Sequence, residues 1–129
     1  MSDSDKPLRI LIVDDNQELR TMLSEILERS GYGVQSTDKA KDALSIIERG
    51  QADLVLLDLK MPAIGGFDLL KLIRRRHLPI PVIVGSAHIS QEGAKELAVV
   101  GIQGMIAKPF KKDRMTEEIE RVIKQHITG

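Results

Sequence analysis

Two residue periods alternate five times along this chain, and few architectures accept that alternation. Short aliphatic, largely β-branched runs read as strands, and the stretches after them carry apolar residues every three or four positions, as amphipathic helices do. Leu8 to Val13 is the first strand, nearly continuous in apolar residues and suited to burial on both faces. From Asn16 the period changes. Leu19, Met22, Leu23, Ile26 and Leu27 form one stripe, Gln17, Arg20, Glu25 and Glu28 lie opposite, and Gly31 offers a stop. A weaker strand is predicted over Gly33 to Ser36. A helix follows with Asp38 as its candidate N-cap, Ala40, Ala43, Leu44 and Ile47 along one face, and an end at Gly50.

The second half repeats the pattern. Asp53 to Leu59 is a strong apolar strand apart from its two acids, and a loop with Pro62 and Gly65-Gly66 follows it. The next helix carries Phe67, Leu70 and Ile73, with Arg74 to Arg76 at its C-terminal end, where cations suit the helix dipole. Ile80 to Val84 is the fourth strand. Ser90 caps a helix with Ala94, Leu97 and Ala98 that closes at Gly101, and Gly104 to Ala107 is the fifth strand. Asp113 to Ile127 is the last helix, with Met115, Ile119, Val122, Ile123 and Ile127 aligned. Strict β/α alternation predicts an α/β fold, a doubly wound five-stranded parallel sheet with right-handed crossovers and helices on both faces.

The 129 residues suit one domain over 8–127, with a polar leader at 1–7 and a short tail at 128–129. Lys plus Arg equals Asp plus Glu at 19 each, so no basic excess points to direct nucleic-acid or membrane binding. The absence of cysteine removes disulfides, thiolate metal sites and cysteine nucleophiles together. Two Phe, one Tyr and no Trp leave an aliphatic core and no stacking platform for single-stranded nucleic acid. The N-terminus lacks the apolar stretch of a signal peptide, and no run approaches the ~20 apolar residues of a membrane span. A cytoplasmic location is expected.

Open parallel sheets bind ligands beyond the carboxyl ends of their strands. Asp14 and Asp15 follow the first strand, Asp58 lies at the end of the third, Ser86 closes the fourth and Lys108 the fifth. In the flavodoxin-like strand order 2-1-3-4-5, all five side chains converge on one crevice. Three neighbouring carboxylates repel one another unless a cation offsets them. Lys108 and one divalent cation balance the three charges in full. Oxygen ligands without His or Cys favour Mg²⁺, with Mn²⁺ the alternative. Singly, each residue has an ordinary explanation. An Asp pair at a strand end is commonly a helix N-cap, a serine there a turn residue, and Lys108-Pro109 a strand exit with a rigid turn or a cis bond. A lone Asp inside an apolar strand is rarer, because a buried charge is costly without partners. Their conjunction at four strand ends is far more specific than any member.

On Ile10 to Asp15 (ILIVDD), Leu54 to Pro62 (LVLLDLKMP), Gly66, Ser86-Ala87 and Lys108 to Phe110 (KPF), the chain resembles the receiver domains of two-component response regulators, of the single-domain type. The resemblance runs from about Leu8 to Ile127. It implies a phosphoacceptor at Asp58, fed by a histidine kinase or histidine phosphotransfer protein in a Mg²⁺-dependent reaction. It implies a metal held by Asp15 and Asp58 directly, by Asp14 mostly through water, and by the Lys60 backbone carbonyl. Ser86 is the implied switch hydroxyl, with the Ala87 N–H beside it, and Lys108 the ammonium that contacts the phosphoryl group. Such a domain catalyses only its own phosphorylation and dephosphorylation, and a homodimer formed on phosphorylation is one expected partner mode.

Three positions depart from the family pattern. Met105 stands where a switch aromatic is usual, and Lys60 and His88, two residues beyond Asp58 and Ser86, are expected to tune dephosphorylation. With Val99, Val100 and Ile102, Met105 suggests either an apolar surface between the fourth and last helices or simply core. Other functions remain to be weighed. An Asp-nucleophile phosphohydrolase of similar fold usually places a general acid where Lys60 stands. A flavin carrier would meet Asp14-Asp15 at its phosphate loop. A degenerate receiver used only as an interaction module would not need the complete acidic set.

Overall fold

The strands Leu54–Asp58 (β3) and Val82–Ser86 (β4) are buried along their whole length, as their unbroken apolar runs predict for the centre of a parallel sheet. The computed structural model describes residues 7–60 and 65–128. Pro62, most of the predicted leader and Gly129 lie outside the described residues. Arg9–Val13 (β1), Gly33–Thr37 (β2) and Gly104–Ala107 (β5) complete a five-stranded parallel sheet in the order β2-β1-β3-β4-β5. The helices are Gln17–Arg29 (α1), Ala40–Glu48 (α2), Gly66–Arg75 (α3), Gln91–Val100 (α4) and Lys112–His126 (α5). The predicted fold class and strand order are those observed.

Alternate strand residues feed two cores. Leu11, Val13, Val55, Leu57, Val82 and Val84 pack against α2, α3 and α4 through Ala43, Ile47, Leu70, Ile73 and Leu97. On the other face Ile10, Ile12, Leu54, Leu56, Ile83 and Ile106 meet Leu23 and Leu27 of α1 and Met115, Ile119 and Val122 of α5. The period of two along each strand therefore sends successive side chains into separate layers. Both edges of the sheet lie in sequence-weak strands. At the β5 edge, Glu118 accepts from the Met105 N–H at 2.9 Å and Arg121 donates to the Gln103 carbonyl at 2.9 Å, so α5 blunts that edge.

Local chemistry explains most element ends and some departures. Asn16 caps α1 by accepting from the Leu19 N–H, and Ser90 caps α4 by accepting from Gly93. Asp38 does not cap α2; that position belongs to Lys39, whose N–H is bound by the Thr37 hydroxyl at 3.1 Å. Strand β4 begins two residues later than Ile80. The Ile80 carbonyl is taken by Arg74, and Pro81 has no N–H to offer a ladder. Asp53 is not a strand residue either: its carboxylate clasps the Arg9 guanidinium and backbone N–H. Met22, expected in the α1 stripe, is exposed, since Leu23 and Leu27 already fill the inner face. Lys108-Pro109 is a cis bond. No helix among the described residues is long and apolar enough to cross a membrane.

Candidate functional site

Strand register brings the acids together. Val13 lies beside Leu57 and Leu57 beside Val84, so the residues leaving β1, β3 and β4 reach the same edge of the sheet. Ala107 pairs with Ser86, which delivers Lys108 to that edge too. Asp14, Asp15 and Asp58 each present a carboxylate oxygen within 4.8 Å of the others.

The three acids are not equivalent. Asp14 is 3% exposed; its Oδ1 accepts from the Asn16 N–H at 2.9 Å and its Oδ2 from the Lys108 ammonium at 2.9 Å. Asp58 is 6% exposed, and its Oδ1 accepts from the Lys60 N–H at 3.1 Å and faces Lys108 Nζ at 3.3 Å. No described residue donates to Asp58 Oδ2. Asp15 is exposed, with no described donor on its carboxylate. Donors thus occupy both oxygens of Asp14 and one of Asp58, leaving Asp15 and Asp58 Oδ2 as the free oxygen ligands. An all-oxygen set of this kind suits a hard divalent cation.

Burial pushes the Asp58 carboxyl above its ordinary value. The Lys60 N–H works against that shift, the Asp14 charge adds to it, and Lys108 opposes it. Burial pulls the Lys108 ammonium down, but Asp14 and Asp58 outweigh it and hold its pKa above the usual lysine value. Lys108 is therefore charged throughout the physiological range. A raised folded-state pKa at Asp58 means that stability is lost as pH rises from the ordinary carboxylate range through the folded value. Asparagine resembles the protonated acid. In chelator at neutral pH, Asp58→Asn should melt several degrees above wild type, the gain fading as pH falls through the raised Asp58 value into the ordinary carboxylate range. Identical melting curves at neutral pH would show that the Asp58 charge is not strained.

Ser86 is buried at the last position of β4, but its hydroxyl is turned into the following loop. It donates to the His88 carbonyl at 3.1 Å and accepts from the His88 N–H at 3.3 Å. No hydrogen bond joins it to Asp58 among the described residues. Ala87, His88 and Lys60 are exposed at the rim. Met105 is 39% exposed, and with Ser86, His88 and Ile89 it lines a cavity of about 320 Å³ beside the β4–α4 loop. Val100 and Ile102 pack against the core, whereas Val99 is 87% exposed, so the apolar surface suggested for this region reduces to Val99 and part of Met105. A larger, open concavity of about 880 Å³ runs from Asn16, the residue after Asp15, along α1 to Glu25.

Two glycines shape the site. A Cβ on Gly66 would lie 1.9 Å from the Asp58 carbonyl oxygen, so the start of α3 presses directly on the backbone of the central acid. A Cβ on Gly85 would lie 2.5 Å from the Phe110 ring, which packs where a side chain would stand. The Gly85–Phe110 contact was not read from the sequence. The signal was a glycine inside a buried strand, which often marks a close approach.

Residues 10–120 match the family model described as the response regulator receiver domain. The chain belongs to that family. It is 34% identical over 125 residues to chemotaxis protein CheY-3 of Vibrio cholerae, covering 93% of this chain and 95% of that protein. Another relative is the CAI-1 autoinducer sensor kinase/phosphatase CqsS of V. cholerae, 36% identical over 117 residues, 86% of this chain and 17% of that protein. The CheY-like response regulator receiver domain protein of Methanospirillum hungatei superposes with a TM-score of 0.86 at 30% identity, covering 96% of this chain and all of that one (100%). This is a CheY-like receiver domain, a signalling module of two-component systems, and its acidic cluster stands where receiver domains bind Mg²⁺. The comparisons lend no support to the phosphohydrolase, flavin-carrier or degenerate readings.

Proposed function

We propose that Asp58 of this receiver domain is the phosphoacceptor, charged by a histidine kinase or histidine phosphotransfer protein. One observation carries the reading. Asp58 is a buried carboxylate with Oδ1 held by the Lys60 N–H and Lys108, while Oδ2 takes no donor from any described residue. A nucleophile needs one oriented, uncommitted oxygen, and this arrangement provides it. Oδ2 forms the bond to phosphorus as the donor's P–N bond breaks, or the P–O bond of a small acyl phosphate, and the bonding pair leaves with the donor. Lys108 offsets charge on the phosphoryl oxygens from a fixed position, so the protein contributes mainly orientation and electrostatics.

Asp15, Asp58 and the Lys60 carbonyl would hold Mg²⁺, with Asp14 acting through water because Asn16 and Lys108 engage its oxygens. When bound, Mg²⁺ (or Mn²⁺) supplies positive charge against the carboxylates and the incoming phosphoryl group.

The acyl phosphate adds negative charge beside Ser86 and the Ala87 N–H. The Ser86 hydroxyl exchanges its two bonds to His88 for a phosphoryl oxygen, which frees the loop from Ala87 to Ser90 and the start of α4. Met105 follows that movement with little two-state behaviour of its own, since an unbranched side chain fills either packing at low cost. Lys60 and His88 flank the approach of water and set the phosphoryl lifetime. The domain spans 8–127, acts in the cytoplasm and turns over only its own phosphoryl group. A phosphorylation-dependent homodimer is one form of output.

The test is direct. Acetyl phosphate with Mg²⁺ should add one phosphoryl mass to the wild-type protein and none to Asp58→Ala. Undiminished labelling of Asp58→Ala would overturn the assignment.

A further inference from the structure

The loop that carries Asp14 and Asp15 is held by a residue outside the acidic site. Arg20, which closes the first turn of α1, donates from Nη1 to the Asp14 carbonyl at 2.7 Å. Among the described residues no carboxylate lies within ion-pair distance of Arg20, although three acids cluster at the ends of β1 and β3. Its guanidinium is spent on a neutral backbone oxygen.

That bond completes the restraint of Asp14. The Asp14 N–H donates to the Thr37 carbonyl at 3.1 Å, Oδ1 accepts from Asn16 and Oδ2 from Lys108. With Arg20 on the carbonyl, every polar atom of the residue has a protein partner. Asp15 has no such support: it is exposed and no described donor touches its carboxylate. The aim of Asp15 therefore depends on the peptide unit before it, and that unit is the one whose oxygen Arg20 grips.

We propose that Arg20 is a positioning residue for metal binding: by holding the Asp14 carbonyl it fixes the turn from which Asp15 is directed toward Asp58. The inference rests on the proposed Mg²⁺-dependent function of the site. It makes Arg20 act through geometry against its own electrostatics. A cation near three carboxylates lowers their attraction for Mg²⁺, so deleting its charge alone would tighten metal binding. Deleting a geometric support loosens it, typically about tenfold or more for outer partners of a metal site.

The opposite signs make the test decisive. Mg²⁺ alone is titrated calorimetrically into the full chain as wild type, Arg20→Met and Arg20→Lys, with the melting temperature in chelator reporting the fold. Arg20→Met should remain folded and bind Mg²⁺ about tenfold more weakly, with Arg20→Lys in between. With acetyl phosphate, the half-saturating Mg²⁺ concentration should rise while the rate at saturating Mg²⁺ stays near wild type. Unchanged or tighter Mg²⁺ binding by folded Arg20→Met overturns the proposal, as does a fall in maximal rate at unaltered Mg²⁺ affinity. If Arg20→Met does not fold, Arg20→Lys and Arg20→Gln decide on the same criterion. A wild-type protein that takes up no Mg²⁺ overturns the functional reading itself, and this inference with it.

Discussion

Lys108→Met should slow phosphoryl uptake from acetyl phosphate by about a hundredfold at saturating Mg²⁺, the scale seen when one fixed charge-stabilising donor is removed. Among the described residues, Lys108 is the single cation that touches both buried carboxylates, at 2.9 Å from Asp14 and 3.3 Å from Asp58. It is held there by its place one residue beyond β5, with the following Phe110 ring packed against Gly85 and 5.7 Å from its ammonium. No other described side-chain cation lies within ion-pair distance of Asp14 or Asp58. Methionine keeps the length of the chain and its packing but removes the charge. The variant should also lose stability in chelator, because two buried acids are left without their counter-ion, and Mg²⁺ should restore much of that loss. The stability and rate effects separate when both are followed against Mg²⁺: stability recovers with the metal and the rate does not. A rate close to wild type at saturating Mg²⁺ would mean that Lys108 is a structural counter-ion only.

Gly66→Ala should destabilise the domain by roughly 3 kcal/mol, lowering its melting temperature by on the order of 10 °C. The added methyl would sit 1.9 Å from the Asp58 carbonyl oxygen, 2.8 Å from its carbonyl carbon and 2.8 Å from the Leu59 Cα. All three are backbone atoms, so no flexible side chain can move aside. Either α3 shifts outward, opening the layer of Leu69, Leu70 and Ile73, or the end of β3 shifts and takes Asp58 with it. Gly65→Ala is the internal control: among the described residues its Cβ meets only the Leu59 carbonyl oxygen, at an ordinary 3.7 Å, and its φ of −68° suits alanine. The pair is checked by thermal unfolding in chelator. Equal melting temperatures for the two variants would show that α3 accommodates the methyl freely.

The fold and the strand-end placement of the acids were legible in the sequence because both rest on short-range signals. A strand buried on both faces must be apolar throughout, and a helix on a sheet must repeat its apolar residues every three or four positions. The alternation of these periods leaves little besides a doubly wound sheet. An acid such as Asp58 at the end of an apolar run is conspicuous for the same reason, since nothing local offsets its burial. The misreadings were also short-range. Asp38 and Thr37 are both capping residue types, and only the observed path of the chain places the Thr37 hydroxyl on the Lys39 N–H. Met22 fits the helical period as well as Leu23 does, but the sheet covers one side of α1 and leaves the other to solvent.

Tertiary structure alone decided how the acids differ from one another. Lys108 and Asp14 are 94 positions apart in sequence, and their contact exists because β5 and β1 end at the same edge of one sheet. The same packing occupies both oxygens of Asp14 and leaves Asp58 Oδ2 without a described donor, sets Gly66 against the Asp58 backbone, and gives the Arg20 guanidinium a neutral carbonyl instead of a carboxylate. No residue period encodes such a choice. Which hydrogen-bond partner a buried group takes depends on atoms brought within about 3 Å from distant parts of the chain, and that proximity exists only once the whole sheet and its helices have packed.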